Sequence, residues 1–313
     1  MLVLQVLAWV ALLLVVASQV ARYLTLANQP VIIVATLSPY FALVGVVTVI
    51  LFGLAGSLVG VLLASGAAVW VLVSIATPFL GRRVAATDPP TLTVLTGNVF
   101  MGRAEAESVM AALRASNADL FALQEIPEEL LAELQVLGID ELLPHCVVAP
   151  APLWAGTALW SRFPLRNAQV EVVDHLYRVS AVVGLHPDDP QRDPYVASLH
   201  IHAPWPPAPE PWIRQLADLG TELAAVARPL IAMGDFNATL DHAPFRRLLR
   251  TGLTDAAVSV RAWPAFTYPG NQAIPALIAI DHVLTRRLVA TSLDVLPIAG
   301  ADHHALVVRL LED

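Results

Sequence analysis

Two hydrophobic codes divide the chain. Up to Arg83 there is no Asp, Glu or Lys, and the charged side chains are Arg22, Arg82 and Arg83 alone. Apolar runs at Leu2 to Ala21, Val31 to about Gly53 and Leu54 to about Leu80 are each near the ~20 residues that cross a hydrocarbon core, which predicts three membrane-spanning helices. Asn28-Gln29-Pro30 breaks the first run from the second, and Gly53, Gly56 and Ser57 mark a tight turn before the third. Pro39 falls inside the second run, where a membrane helix tolerates proline if neighbours satisfy the freed carbonyl. A cleaved signal peptide is the alternative for the first run, given small residues at Ala17 and Ala21. It lacks a basic leading segment, and two more apolar runs follow.

Beyond a short polar linker, Val84 to Pro90, strand-like and helical periods alternate. Apolar positions at helical spacing mark Ala104 to Ala115, Pro127 to Leu137, Pro211 to about Val226 and Ala243 to Arg250. Strand-like runs lie at Thr93 to Asn98, Leu120 to Glu125, Thr157 to Trp160, Gln169 to Val173, Val179 to Leu185, Tyr195 to His200, Pro229 to Met233, Ile278 to Leu284, Leu288 to Leu296 and Ala305 to Leu310. Strands in both halves, each set followed by helices that can cover it, predict two facing mixed sheets with helices outside. The expected organisation is a helical anchor at 1–83, a linker at 84–90 and a catalytic domain at 91–313.

Charge sharpens the division. All 26 acidic residues follow Arg83 and meet fifteen arginines there, a balance of about −11. A surface that tracks DNA needs a basic face for phosphate contacts, so this balance weighs against nucleic acid as a partner without removing it. The single Cys146 cannot form an internal disulfide and does not identify the compartment.

Polar residues gather where the strands end. Asn98 closes one strand, Gln124-Glu125 the next, Gly234-Asp235-Phe236-Asn237 follows a third, and Ala301-Asp302-His303 precedes the last. Together and in this order they resemble the endonuclease/exonuclease/phosphatase superfamily, the DNase I-like metal-dependent phosphoesterases, over roughly Thr91 to Leu310. The resemblance implies a four-layer α/β sandwich, here preceded by about three transmembrane helices, and Mg²⁺, with Mn²⁺ as a substitute. Glu125 is the foremost candidate ligand, since hard cations take oxygen donors and few carboxylates, with Asn98 and Asp302 completing that side.

By the same resemblance Asp235 orients or deprotonates the attacking water and Asn237 donates to a phosphate oxygen. His303 is selected over His304 by the family's Ser-Asp-His pattern, in which Ala301 here replaces Ser, and Asp281 matches the acid that holds that imidazole. His282 is assigned to packing or surface. His200 fits the family's phosphate-binding histidine at a strand end, with His202 the alternative on the same face by period two. Gly156 to Pro164, with Ser161-Arg162-Phe163-Pro164, resembles a structural motif of the family in which Arg162 braces a sheet edge. The loop Pro204 to Trp212 is either a rigid connector or a functional element in which Trp205 and Trp212 sit at the lipid interface or cover an apolar substrate group.

Three functions compete. One is a membrane-anchored Mg²⁺-dependent phosphoesterase acting on a phosphoester or pyrophosphate, lipid-linked or otherwise held at the bilayer. The second is a metal-dependent nuclease, and the third a catalytically silent binding module at the membrane. Sidedness is divided: the positive-inside rule applied to Arg22 and Arg82-Arg83 places the domain in the cytoplasm, whereas the resemblance to a bacterial membrane-anchored branch places it outside, the expectation adopted here. Oligomeric state is not legible.

Overall fold

The computed structural model describes residues 1–80, 91–206, 208–262, 264–270 and 274–312. The expected linker and Arg82-Arg83 lie outside the described residues. At the N-terminus, α1 (Leu2–Ala21), α2 (Gln29–Thr36), a 3₁₀ turn (Ser38–Tyr40), α3 (Phe41–Leu54) and α4 (Leu58–Ala76, extended by a 3₁₀ turn to Phe79) follow one another. The Asn28 side chain caps α2 through Val31 N–H, and the Ser57 hydroxyl caps α4 through Gly60 N–H. α1 and α4 are long and apolar enough to cross a membrane.

The second expected span is not one straight helix. It bends by 54° between α2 and the segment that contains α3. Pro39 withdraws an N–H at the break, and α2 has other partners: Ile32 is buried among Trp212, Leu216 and Phe245 of the following domain. α3 alone, at 14 residues, is roughly 21 Å long against the ~30 Å of a hydrocarbon core. α1, α3 and α4 pack through Ala8, Leu12, Val15, Phe52, Ala64, Ala67 and Val71. Small residues permit the approach: a Cβ on Gly60 would stand 2.1 Å from the Phe52 ring.

The remaining chain forms β1 (Leu92–Asn98), α5 (Ala106–Ser116), β2 (Leu120–Gln124), α6 (Glu128–Val136), α7 (Ile139–Leu142), β3 (His145–Ala149), β4 (Thr157–Ser161), β5 (Leu165–Val173), β6 (Leu176–Val183), β7 (Tyr195–His200), α8 (Glu210–Ala225), β8 (Leu230–Asp235), α9 (Ala243–Leu249), β9 (Thr254–Asp255), α10 (Ala256–Val260), β10 (Asp281–Arg286), β11 (Leu288–Pro297) and β12 (His304–Glu312). One sheet runs β11-β12-β1-β2-β4-β3 and the other β5-β6-β7-β8-β10-β9.

Strand periodicity builds the layers. In β2, Leu120 and Ala122 face the core between the sheets, while Phe121 and Leu123 face α5 and α6. In β8, Ile231 and Met233 point into that shared core, and Leu230 and Ala232 meet α8 and α9. The result is a helix–sheet–sheet–helix sandwich. Each sheet contains one parallel pair, β1 with β2 and β7 with β8, and all its other pairings are antiparallel. Crossover helices α5 and α8 impose those two parallel pairs, and their carboxyl ends carry Asn98 beside Gln124 and His200 beside Asp235.

Candidate active site

Left-handed backbone follows both parallel pairs. Glu125, one residue past β2, has φ 62°, and Asn237, two past β8, has φ 47°. A non-glycine residue in that region is strained by about 1–3 kcal/mol and persists where surrounding contacts fix it. Glu125 is fixed by its N–H on the Gly156 carbonyl at 2.8 Å, and a Cβ on Gly156 would stand 2.0 Å from the Ile126 carbonyl oxygen. Thus the glycine that opens the Gly156-to-Pro164 motif seats the Glu125 loop. Arg162 at its far end pairs with Asp119 at 2.9 Å and bonds the Ala118 carbonyl, which is a brace at the sheet edge.

The two sheet edges meet through Asn98. Its Nδ2 donates to Glu125 Oε1 at 3.0 Å and to Asp235 Oδ2 at 3.1 Å, while its Oδ1 accepts from Phe100 N–H. Met101 N–H donates to Glu125 Oε2 at 2.8 Å. Below them, Gln124 Nε2 donates to Ser198 Oγ at 3.0 Å and joins β2 to β7. Sequence patterning did not single out this inter-sheet bond, because an amide at a strand end carries no mark of what lies across the sandwich.

Asp235 Oδ1 accepts from Asn237 N–H at 2.8 Å. The Asn237 amide donates to the Ile201 carbonyl at 2.9 Å and to Asp235 Oδ2 at 3.3 Å, so reaching a phosphate requires release of the longer bond. Asp281, in register with Asp235, accepts from His303 Nδ1 at 2.7 Å, and His303 Nε2 lies 3.8 Å from Asp235 Oδ2. Burial drives the Asp235 carboxyl up to about 6, assisted by Asp281 and opposed by His303. Burial pulls the His303 imidazole down, but Asp281 and then Asp235 outweigh it and hold the ring up to about 10. Asp302 is raised by burial, with a further push from Glu125, against the opposing His303 charge.

His200 and His202 separate here. His200 Nδ1 lies 3.0 Å from the Trp154 carbonyl, which only accepts, so Nδ1 carries the proton. Its Nε2 then faces Glu125 Oε1 at 3.6 Å and Asp235 Oδ2 at 3.7 Å. His202 turns away, with Nε2 on the Asp174 carbonyl at 2.8 Å. His282 is buried behind the centre against Asp255 Oδ2 at 2.6 Å and the Ala238 carbonyl at 2.8 Å. Tyr268 was not anticipated; its ring lies 5.1 Å from that of His303 and packs one side of it.

One expectation fails outright. Trp212 is 1% exposed and packs edge-on to His242 at 5.1 Å inside the α8–α9 layer, so it does not reach a lipid boundary. It begins an amphipathic helix whose inward face needed a large apolar residue. Trp205, 59% exposed, remains on the surface.

Asp235, Asp281 and His303 offer ligand atoms within 4.8 Å of one another, a spacing that can hold a metal ion. Glu125 and Asp302 are the more open pair, at 14% and 17% side-chain exposure.

Two sheets in this topology, with acids and imidazoles at the carboxyl ends of the parallel pairs, define a phosphoesterase sandwich of DNase I type. The chain belongs to the endonuclease/exonuclease/phosphatase family, whose model matches residues 95–303, and with it to the metal-dependent phosphoric ester hydrolases. It is similar in fold to D. rerio TDP2 complexed with single strand DNA product, at TM-score 0.59 and 13% identity over 70% of this chain and 98% of that one. A family protein from Beutenbergia cavernae aligns at TM-score 0.53 and 17% identity over 71% of each chain. The 3′ phosphatase NExo from Neisseria, bound to product DNA hairpin, aligns at TM-score 0.55 and 18% identity over 71% of this chain and 100% of that one. No curated protein sequence matches the chain.

Proposed function

We propose that this protein is a membrane-anchored, Mg²⁺-dependent phosphoesterase that hydrolyses a phosphoester or pyrophosphate carried on a lipid or held at the bilayer surface. The observation that carries it is the coexistence, in one packed unit, of the carboxylate–imidazole centre and helices α1 and α4. Their exposed apolar faces, such as Leu13 at 66% and Leu62 at 64%, support the membrane reading, since water disfavours such surfaces.

The donors fit a hard cation on the Glu125 side. Asp302 is pushed up by burial and by its acidic neighbour Glu125, a repulsion that a cation relieves. Mg²⁺ keeps several waters and takes one or two carboxylates, which suits the half-open Glu125 and Asp302 with Asn98 between sheets. The Asp235–Asp281–His303 cluster suits it less, because His303 Nδ1 is already spent on Asp281 and an imidazole nitrogen is a poorer ligand for a hard cation than oxygen. When bound, the cation supplies Lewis-acid polarisation of a phosphate oxygen.

The chain's own residues divide the remaining work. Asp235, raised to about 6, is ionised at neutral pH yet basic enough to take a proton from an attacking water. His303, held charged by Asp281 and Asp235, donates from Nε2 to a phosphate oxygen as charge develops. His200 Nε2 and the Asn237 amide border the same space and orient the phosphoryl group. The cleft is acidic overall, which favours a substrate delivered by confinement to a surface over a polyanion captured by charge. A nuclease is the second reading, supported by the DNA-bound neighbours.

The test is full-length protein in liposomes with Mg²⁺, given a lipid-borne phosphoester, its soluble headgroup analogue and duplex DNA. Faster turnover of the lipid-borne substrate is expected. Preference for DNA at matched salt overturns the lipid assignment.

A further inference from the structure

Where α1 and α4 end against the domain, a cleft of about 460 Å³ is lined by Arg22, Tyr23, Trp70, Ser74, Arg246 and Arg250, with Val73, Leu249 and Leu253 as apolar walls. Arg22 is 95% buried, and two of its guanidinium nitrogens, Nε and Nη1, are buried with no hydrogen-bond partner. Its Nη2 is occupied by Asp241 at 3.0 Å and the Ser74 carbonyl at 3.2 Å. Arg246 donates to the Leu240 and Arg22 carbonyls and stands over the Tyr23 ring at 5.5 Å. The exposed Arg250 side chain makes no hydrogen bond or ion pair among the described residues.

Three guanidinium groups thus face one cleft with little to balance them. Asp241 pairs with Arg22 and also favours the Arg246 charge, one carboxylate against three cations. Asp255 is committed: Oδ2 takes His282 and Oδ1 accepts from Ala257 and Val258 N–H. Mutual repulsion is visible in Arg246, which burial and then Arg22 pull below its ordinary range. A fully desolvated guanidinium edge without a partner is costly, so this cleft is built for an anion. Its surroundings specify which kind: Trp70 of α4 and Tyr23 just past α1 line it, residue types enriched where helices leave a bilayer, and Val73 of α4 forms one of its apolar walls.

We propose that this cleft binds the phosphate headgroup of an anionic phospholipid, with acyl chains along α1 and α4, at a site separate from the carboxylate centre. It rests on the reading that α1 and α4 span a bilayer.

The experiment uses detergent-purified full-length protein and native mass spectrometry with phosphatidylglycerol or phosphatidylcholine as probe. Phosphatidylglycerol should bind about 10²-fold more tightly, given roughly 1 kcal/mol for each of the three arginines near an anionic headgroup. Arg246→Gln also removes hydrogen bonds that hold the fold, so Arg250→Gln carries the test and should weaken phosphatidylglycerol by about fivefold. Arg247→Gln, on the same helix but lining a different cleft, should not. Equal affinity for the two lipids, equal loss in Arg250→Gln and Arg247→Gln, or full displacement by millimolar inorganic phosphate would each overturn the lipid site. Failure of the chain to partition into liposomes is a different result and refutes the membrane reading itself.

Discussion

Replacing Glu125 by Gln removes one charge and no atoms, yet the geometry forbids a silent substitution. Both carboxylate oxygens face donors, Oε1 the Asn98 amide at 3.0 Å and Oε2 the Met101 N–H at 2.8 Å. A glutamine has one acceptor and one donor, so either rotamer sets its NH₂ against a donor and leaves a partner unmatched. An unmatched buried donor costs roughly 1–3 kcal/mol, which lowers the competent loop population by about 5–150-fold before the lost charge is counted. Apparent metal affinity falls by the same factor. Thermal unfolding of detergent-solubilised protein, followed against Mg²⁺, reads this without catalysis: a cation at ~100 times its Kd stabilises by about 2.7 kcal/mol. The wild-type midpoint should climb and saturate, and the Glu125→Gln midpoint should need about 10²-fold more Mg²⁺. Equal half-saturation refutes the assignment. If Asp281→Asn shifts the curve instead, the cation sits on the Asp235–Asp281–His303 cluster.

Turnover should fall at least ~10²-fold in Asp235→Asn and in His303→Ala, while His202→Ala, whose ring bonds the Asp174 carbonyl, stays within a few-fold; a larger loss for His202 shows the wrong imidazole was chosen. His242 is pulled by burial from 6.5 to about 4, so the unfolded chain binds a proton the folded chain refuses, and its contribution to stability is full above about pH 6.5 and is lost as pH falls towards 4. Urea melts of wild type and His242→Gln across that window should diverge, and parallel curves contradict the burial argument. Gly234 has φ 139° and a Cβ there would stand 2.0 Å from the Leu199 carbonyl oxygen, so Gly234→Ala should cost about 2–4 kcal/mol of stability; an unchanged melt counts against the β7–β8 register. Deleting residues 1–83 should depress turnover even of a soluble phosphodiester, because Ile32 leaves its seat beside Trp212 and His242 loses Thr36; undiminished activity shows a domain independent of its helices.

The strands around the centre were legible because they are buried on both faces and end in polar residues, as β1 and β8 do at Asn98 and Asp235. β3 escaped notice: it is a five-residue edge strand with partly exposed His145 and Cys146 behind Pro144, and edges lack the burial that makes a pattern. β9, two residues long, carries no period at all. The choice of His200 over His202 was beyond period-two reasoning, since both sit on one face and only the tertiary partners, Trp154 and Asp174, turn the rings apart. The break at Ser38-Pro39 was hidden for a related reason. Hydropathy counts apolar residues without saying whether lipid or a protein core takes them, and Ile32 is taken by the core.

That distinction bears on what the helices do. Asp235 and Asn237 belong to the proposed reacting centre, and Thr239 to His242, a few residues on, pin α2 and Arg22: His242 Nε2 lies 2.9 Å from Thr36 Oγ1 and Asp241 pairs with Arg22. Between them Phe236 and Ala238 are fully buried, which leaves little slack. A flexible leash raises the effective concentration of any surface-bound substrate over a range of heights, whereas a rigid mount serves only those whose reacting group stands at the height it fixes, and loses the advantage entirely when geometry forbids engagement. If α1 and α4 cross a bilayer, selectivity among lipid phosphates is therefore set by headgroup height and by the mount, before any side chain in the cleft distinguishes one leaving group from another.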